Sequence, residues 1–145
     1  MDSHADEQAF LAAISRFSER CLPSRGWSRV LEVGAGSGDR SKLLAERGYV
    51  VTVAEPDDAA LGHVRGRLED EGLDASYVTV DALESLGEFD VVLCFDPSLV
   101  APERIRAHLR RGGLLFAGPG FEPRSGYAFD RKHGAFRARR RLLGR

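Results

Sequence analysis

Short runs of apolar, mostly β-branched residues recur along the chain, and stretches with helical spacing lie between them. These runs are apolar at nearly every position, which is typical of strands buried on both faces of a sheet. The pattern predicts five strands, at residues 27–33, 49–54, 76–80, 89–95 and 114–117.

The segments between these strands carry helix signals. Apolar spacing, capping residues and prolines predict helices over about residues 5–21, 58–71 and 102–110, with a short helix or turn over 82–86. A further helix is predicted to start at Ser37 or Asp39 and to run to about residue 47. Strands and helices alternate, and this order predicts an α/β fold with one doubly wound, mostly parallel sheet. We expect a single domain over residues 1–145, made of the N-terminal helix, a core over 27–120 and a tail over 121–145.

The tail has a different character from the core. Residues 127–130 and 135–142 flank a Lys132-His133-Gly134 turn, and apolar and basic side chains alternate in the second run. This alternation predicts a terminal antiparallel hairpin, and a short basic helix is the alternative. The tail has eight Lys or Arg against two acids, a net charge of +6, which leaves −7 on the rest of the chain. The asymmetry fits either a face for an anionic partner or a solvated strand face.

The composition limits the class of protein. Apolar residues make up 43% and charged residues 30% of the 145 residues, which is ordinary for a soluble globular protein. No apolar run approaches the length of a membrane span, and residues 1–7 are too polar for a secretory signal. We therefore expect a cytoplasmic protein with no membrane contact. The two cysteines, Cys21 and Cys94, give neither a disulfide framework nor zinc-ligand spacing, and we expect no metal.

The turn after the first strand gathers three glycines, Gly34, Gly36 and Gly38. Glycine has no Cβ atom, so it suits positions where the backbone turns sharply and approaches a ligand. The helix that follows directs free N–H groups toward the same place. A strand, a glycine turn and a helix in this order indicate a nucleotide-type binding site, and a purely structural turn is the alternative.

Acidic residues stand at or near the carboxyl ends of four predicted strands, namely Glu32, Glu55, Asp81 and Asp96. Ligands of open α/β sheets bind beyond these ends, where the strand order reverses. Glu55 follows Gly34 by 21 residues, and an acid about 20 residues past the turn suits hydrogen bonds from two ribose hydroxyls. The alternative for Glu55 and Asp81 is helix or turn capping. For Glu32 it is a buried acid satisfied by neighbouring backbone amides.

These motifs together resemble the class I S-adenosylmethionine-dependent methyltransferases. Residues 31–38 resemble the glycine-rich first motif of that family, 51–57 the second, 79–82 the adenine-contacting stretch, 89–96 the fourth, and 109–115 the turn before the fifth strand. The likeness covers about residues 5–120 in order, which makes it more specific than any single motif. A nicotinamide dehydrogenase is the rival, but its fingerprint needs G-x-G-x-x-G and this turn reads G-x-G-x-G.

The resemblance implies a Rossmann-like fold, S-adenosyl-L-methionine as cofactor and methyl transfer to an acceptor. It also implies a set of cofactor-binding positions. The glycine turn (Gly34, Ala35, Gly36, Gly38) would lie against the methionine part and the ribose, with Glu32 helping to hold the amino group. Glu55 would bind the ribose hydroxyls, Pro56 would flank the adenine, Asp81 and Ala82 would contact the adenine, and the Cys94 carbonyl would lie near the sulfur.

Asp96 is the predicted catalytic residue, which would contact the substrate or accept its proton, and a cap on the loop before Pro97 is the alternative. Asp96-Pro97-Ser98-Leu99 departs from the Asp-Pro-Pro-aromatic motif of amino-group methyltransferases, so that motif does not support methylation of nucleic-acid bases. The substrate would be a small molecule or an exposed group of a larger one. We expect the surface that binds it to be shallow, to be supplied by a second subunit, or to be made by a partner. A non-catalytic module that binds the cofactor or a protein, and another transfer from the same cofactor, are the alternative functions.

Overall fold

The computed structural model describes residues 11–13, 29–96, 98–118, 121, 126–131 and 135–139. The strands are β1 (Arg29–Val33), β2 (Val50–Glu55), β3 (Ser76–Thr79), β4 (Phe89–Cys94), β5 (Leu109–Ala117), β6 (Tyr127–Asp130) and β7 (Ala135–Ala138). The helices are α1 (Asp39–Glu46), α2 (Asp58–Asp70) and α3 (Pro102–Arg106), with a 3₁₀ helix at Val80–Ser85. Residues 11–13 are also helical.

The strands form one sheet in the order β3-β2-β1-β4-β5-β7-β6. Strands β1 to β5 pair in parallel, and β7 runs antiparallel between β5 and β6. From β1 the chain builds the sheet outward through β2 and β3, and then returns to place β4 on the other side of β1. The junction of β1 and β4 is therefore the point where an α/β sheet opens a ligand crevice. The predicted α/β class, with a mostly parallel sheet and a C-terminal antiparallel hairpin, is confirmed.

Alternate residues of the central strands enter two cores, one on each face of the sheet. On one face Val30 packs with Leu44 of α1 and Val64 of α2, and on the other face Leu31 packs with Ile105 of α3. All five side chains are fully buried or nearly so, and each contributes about 1.5–3 kcal/mol by leaving water. Burial on both faces explains why the strands read as continuous apolar runs.

The starts of the two longer helices follow from local sequence. Gly38 precedes α1 at φ 88°, a left-handed conformation that favours glycine. Asp57 caps α2, and its Oδ1 accepts a hydrogen bond from the Ala60 N–H at 2.9 Å. Of the two starts predicted for the first of these helices, Ser37 and Asp39, the structure has Asp39. The helix predicted over 58–71 is confirmed to within one residue.

The region between α3 and β5 differs from the prediction. Helix α3 ends at Arg106 and β5 already begins at Leu109, whereas the sequence suggested a helix to residue 110 and a strand from residue 114. The chain pairs with β4 early, because the Phe89 N–H donates to the His108 carbonyl at 2.7 Å. The register then shifts, so that Phe89 pairs with Leu109 but Val91 pairs with Leu114. Gly112, at φ 82°, lies within this irregularity. The sequence analysis interpreted the glycines there as a turn before the strand, whereas they lie inside β5.

Strands β6 and β7 form the predicted hairpin, with Asp130 opposite Ala135. The Arg106 side chain, only 7% exposed, ties this hairpin to the rest of the sheet. Its guanidinium donates to the carbonyls of Leu109 (2.9 Å), Gly126 (3.1 Å) and Arg139. One buried cation thus fastens the start of β5 to both ends of the hairpin.

Parts of the sequence predictions lie outside the described residues. These include most of the predicted helix over 5–21, Cys21, the turn over 132–134 and the basic residues from 140 onward. Within residues 11–13, Leu11 and Ala13 are buried in the same core as Val30. Among the residues that the structure describes, no helix is both long enough and apolar enough to cross a membrane. The cytoplasmic location stays a prediction.

Candidate functional site

The glycine turn lies at the carboxyl end of β1. The Gly34 N–H donates to the Ala54 carbonyl of β2 at 2.9 Å, which anchors the turn to the neighbouring strand. Gly34, Gly36 and Gly38 have φ values of 74°, 59° and 88°, so side chains would strain the backbone at all three. A Cβ atom at Gly36 would meet no atom within 4 Å. The backbone at Gly36 therefore faces open space, as a turn that receives a ligand requires.

Glu55, the last residue of β2, lies directly beside this turn. Its side chain is buried, with 5% exposure, and its Oε1 accepts a hydrogen bond from the Ala35 N–H. Among the described residues, the Glu55 carboxylate accepts no other hydrogen bond. The structure thus brings together the turn and the acid to which ribose binding was assigned, and the assignment itself stays a prediction.

Glu32, in the middle of this site, is engaged by helix α1. Its side chain is 1% exposed, its Oε1 accepts from Ser41 Oγ at 2.5 Å and its Oε2 accepts from Arg40 Nε at 2.9 Å. Burial raises the pKa of Glu32; Arg40 and Ser41 oppose this rise, and the nearby charge of Glu55 adds to it. The alternative given for Glu32, a buried acid whose oxygens accept hydrogen bonds from neighbouring groups, therefore describes this geometry. The donors are side chains and not the backbone amides that the sequence analysis expects.

Arg40 is a site residue that the sequence analysis missed. Its guanidinium carbon lies 4.3 Å from the centre of the Phe95 ring, in addition to its ion pair with Glu32. Phe95 directly follows β4, so Arg40 bridges the ends of β1 and β4. The one signal in the sequence is the position of Arg40 and Ser41 in the first turn of the helix after the glycines. That signal does not reveal which way the side chains point.

Leu99 covers the glycine turn from the other side. A Cβ atom built on Gly34 would lie 2.6 Å from Leu99 Cδ1, far inside normal carbon–carbon contact. The next residue, Val100, is buried at 3% exposure, which holds this loop against the core. The segment after β4 therefore packs directly on the turn, and a side chain at position 34 would have to displace the end of Leu99.

Asp96, the predicted catalytic residue, is exposed at the carboxyl end of β4. Its Oδ1 accepts hydrogen bonds from Ser98 N at 3.2 Å and Ser98 Oγ at 2.5 Å. The Asp96 carbonyl also accepts from Leu99 N at 3.2 Å. One carboxylate oxygen therefore orders the loop, as the capping alternative proposed. Among the described residues the structure gives the other oxygen, Oδ2, no partner.

Cys94, at the end of β4, is buried. Burial, with the charge of Asp96 as a second cause, raises the pKa of its thiol to about 11. The Cys94 carbonyl accepts a hydrogen bond from the Gly118 N–H at 3.1 Å. It therefore points toward β5, away from the glycine turn at the end of β1. This orientation does not favour the predicted contact between the Cys94 carbonyl and the sulfur of the cofactor.

The residues assigned to adenine lie at the β3 side of the site. Asp81 and Ala82 follow Val80 in the first turn of the 3₁₀ helix and are exposed, as is Pro56 after β2. Arg104 of α3 fixes this segment, because it donates to the Val80 carbonyl at 2.6 Å and forms an ion pair with Glu84 at 2.5 Å. The adenine contacts stay predictions. No group of side chains suited to a metal ion occurs among the described residues.

Comparison with known proteins adds independent evidence. Residues 30–113 match the family model described as "Methyltransferase domain". The chain is 34% identical over 99 residues to the ubiquinone biosynthesis O-methyltransferase of Pseudomonas entomophila, a match that covers 61% of this chain and 42% of that protein. The chain thus spans less than half the length of the curated relatives that it matches.

Solved structures share the fold. A putative O-methyltransferase from Klebsiella pneumoniae matches with a TM-score of 0.61 and 20% identity, over 78% of this chain and 55% of that one. A SAM-dependent methyltransferase from Thiobacillus denitrificans, solved in complex with S-adenosyl-L-homocysteine, matches with a TM-score of 0.53 and 25% identity. That match covers 62% of this chain and 41% of the other.

Proposed function

This chain belongs to the class I S-adenosylmethionine-dependent methyltransferase family, and from that premise we propose that it binds S-adenosylmethionine and transfers the methyl group to an oxygen of an acceptor. One observation carries the proposal. The glycine turn, open at Gly36, lies against the buried carboxylate of Glu55 at the end of the neighbouring strand. The relatives that carry the name O-methyltransferase support oxygen as the acceptor atom.

The residues of the site fit this cofactor. The turn offers a backbone surface that is open at Gly36, against which the methionine part and the ribose would lie. Glu55 is an ionisable acceptor at the end of β2, which suits two ribose hydroxyl donors. Its bond to the Ala35 N–H holds the turn and the carboxylate in a fixed relation before any ligand arrives. Such preorganisation lowers the cost of binding.

When bound, S-adenosylmethionine supplies a methyl carbon on a positively charged sulfur, which leaves as a neutral thioether. The protein's task is then chiefly to align the acceptor with that carbon and to exclude water. Asp96 stands at the carboxyl end of β4 with Oδ1 held by Ser98. We assign its Oδ2 to the acceptor's hydroxyl proton, which it takes as the new carbon–oxygen bond forms.

Binding is tested by isothermal titration calorimetry with S-adenosylmethionine and S-adenosylhomocysteine. Glu55→Ala should weaken both about tenfold to hundredfold, because it removes charge-assisted hydrogen bonds. Glu46→Ala is the matched control, since Glu46 is an exposed glutamate at the end of α1. The cofactor assignment is wrong if the unmodified protein binds neither ligand, and the ribose assignment is wrong if Glu55→Ala binds both normally.

Transfer is tested with S-adenosylmethionine labelled with carbon-13 in the methyl group and a small-molecule cell extract. The chemical shift of the transferred carbon distinguishes a methoxy group from a methyl group on nitrogen, sulfur or carbon. A methoxy product that disappears with Asp96→Asn supports the proposal. Cofactor binding without any labelled product supports a binding module instead. Completion of the substrate surface by a second subunit stays a prediction, which light scattering of the pure protein tests.

A further inference from the structure

Arg40 occupies the point where the strand order of the sheet reverses. Strands β1 and β4 are neighbours, with Val33 opposite Cys94, so Gly34 and Phe95 follow at the same level. The guanidinium of Arg40 lies over the Phe95 ring and is bound to Glu32, two residues before Gly34. The arginine thus stands beside the turn that would receive the methionine end of the cofactor.

Two contacts fix the direction of the Arg40 guanidinium. Its Nε donates to the buried Glu32 carboxylate at 2.9 Å, and its face stacks on Phe95, an arrangement that attracts cations. The side chain remains 30% exposed. In the described part of the chain, its two terminal nitrogens have no hydrogen-bond partner. A planar, always charged group with one edge held and the other edge free suits a bidentate carboxylate.

We propose that the terminal nitrogens of Arg40 bind the carboxylate of the methionine end of S-adenosylmethionine. This inference rests on the proposed function, because it assumes that the glycine turn receives the cofactor. The charge of the site favours it. Glu32 and Glu55 are two buried acids, and the charge of Glu55 contributes to the raised pKa of Glu32. The two acids would repel an anion unless a cation stood between them and the ligand.

Glu32 then acts as a positioning residue. Both of its oxygens are occupied, by Arg40 Nε and by Ser41 Oγ, so it orients the arginine rather than holding the ammonium group of the cofactor by itself. This revises the role that the family resemblance implied for Glu32. Glu32 thus holds a positively charged side chain at the first turn of α1, where it can bind an anion.

The test compares two ligands that differ in one group, namely S-adenosylhomocysteine and its decarboxylated analogue, which keeps the amine. Dissociation constants are measured by calorimetry for the unmodified protein, Arg40→Gln, Arg40→Lys and the control Arg47→Gln, which changes an exposed arginine after the same helix. Arg40→Gln should weaken S-adenosylhomocysteine about tenfold to hundredfold and leave the analogue unchanged. Arg40→Lys should weaken S-adenosylhomocysteine less than Arg40→Gln does, because lysine keeps the positive charge but lacks the paired N–H groups that bind a carboxylate at both oxygens.

Structural damage and a failed proposal give different results. Since Arg40→Gln leaves Glu32 without its cation, the double variant with Glu32→Gln removes that unpaired charge, and it should show the same selective loss. An equal loss for both ligands in both variants, or no loss for either ligand, overturns the inference while the proposed function stands. If the unmodified protein binds neither ligand, both fail. A normal affinity for S-adenosylhomocysteine with a raised KM for an acidic acceptor would assign Arg40 to the substrate and also overturn it.

Discussion

Gly34→Ala tests the packing of the glycine turn directly, because the substitution adds a single carbon at a position where it would overlap the end of the Leu99 side chain. The backbone at Gly34 has φ 74°, where a residue with a Cβ atom costs about 1–2 kcal/mol. The new carbon would also lie 2.6 Å from Leu99 Cδ1. Because Leu99 is only half-buried, the end of its side chain can move aside, at a cost of about 0.5–1.5 kcal/mol for an unfavourable rotamer. The free energy of unfolding should therefore fall by about 1.5–3.5 kcal/mol.

The two contributions can be separated with variants that the chain itself offers. Gly36→Ala has a similar φ, 59°, but meets no atom within 4 Å, so it should cost only about 1–2 kcal/mol. In a Leu99→Ala background the overlap at Gly34 disappears. There Gly34→Ala should cost about as much as Gly36→Ala, and the double-mutant cycle should give a coupling energy of about 0.5–1.5 kcal/mol.

Urea unfolding followed by circular dichroism measures these free energies, provided that the transitions are two-state. Two outcomes would refute the reasoning. One is a Gly34→Ala variant no less stable than Gly36→Ala. The other is a cost at Gly34 that is unchanged by Leu99→Ala, which would mean that Leu99 does not press on the turn.

Three further predictions concern protonation. Burial raises the pKa of Glu32 above its ordinary 4.5, so the folded state binds this proton more tightly than the unfolded state. Urea unfolding should therefore show Glu32→Gln gaining stability relative to the unmodified protein as the pH rises above 4.5, and a constant difference would contradict this. In a Cys21→Ser background, native Cys94, with a thiol pKa of about 11, should resist iodoacetamide at pH 8 until urea unfolds the protein, as mass spectrometry would show. The pKa of Glu84 is lowered to about 2, with the hydrogen bond from Arg104 as the largest cause. Carbon-13 NMR titration should find this pKa raised toward 4.5 in Arg104→Ala, and an unchanged pKa would show that the ion pair does not persist in solution.

Most of the sheet was predictable because it depends on residues close together in sequence. The run before Pro56 ends β2 at Glu55 for reasons that are local, namely β-branched residues, a proline and the Asp57 cap. The same is true of the glycine turn, so the distance between turn and acid along the chain was informative. The start of β5 was not predictable, since the register shift opposite Phe89 arises only when β4 and β5 pair.

The side chains around Glu32 show the same limit within the site. The position of Glu32 before the glycines could be predicted from the sequence. Its partners Arg40 and Ser41 lie on the helix that follows the glycine turn. Which way they point depends on the angle at which α1 lies across the sheet. Leu99 and Gly34 are 65 residues apart, and neither segment contains a sequence pattern that predicts their contact. Long-range packing of this kind decides how the site works, and it appears only in three dimensions.

The position of β7 has a consequence for how the protein is made. The ribosome releases β5 and β6 before β7, yet in the finished sheet β7 lies between them. Until β7 emerges, the outer edge of β5 has no strand beside it, and β6 has no strand with which to pair. An unpaired edge of this kind attracts other chains. Slow synthesis of the final segment should therefore lower the yield of soluble protein, although the residues that surround the glycine turn are already complete.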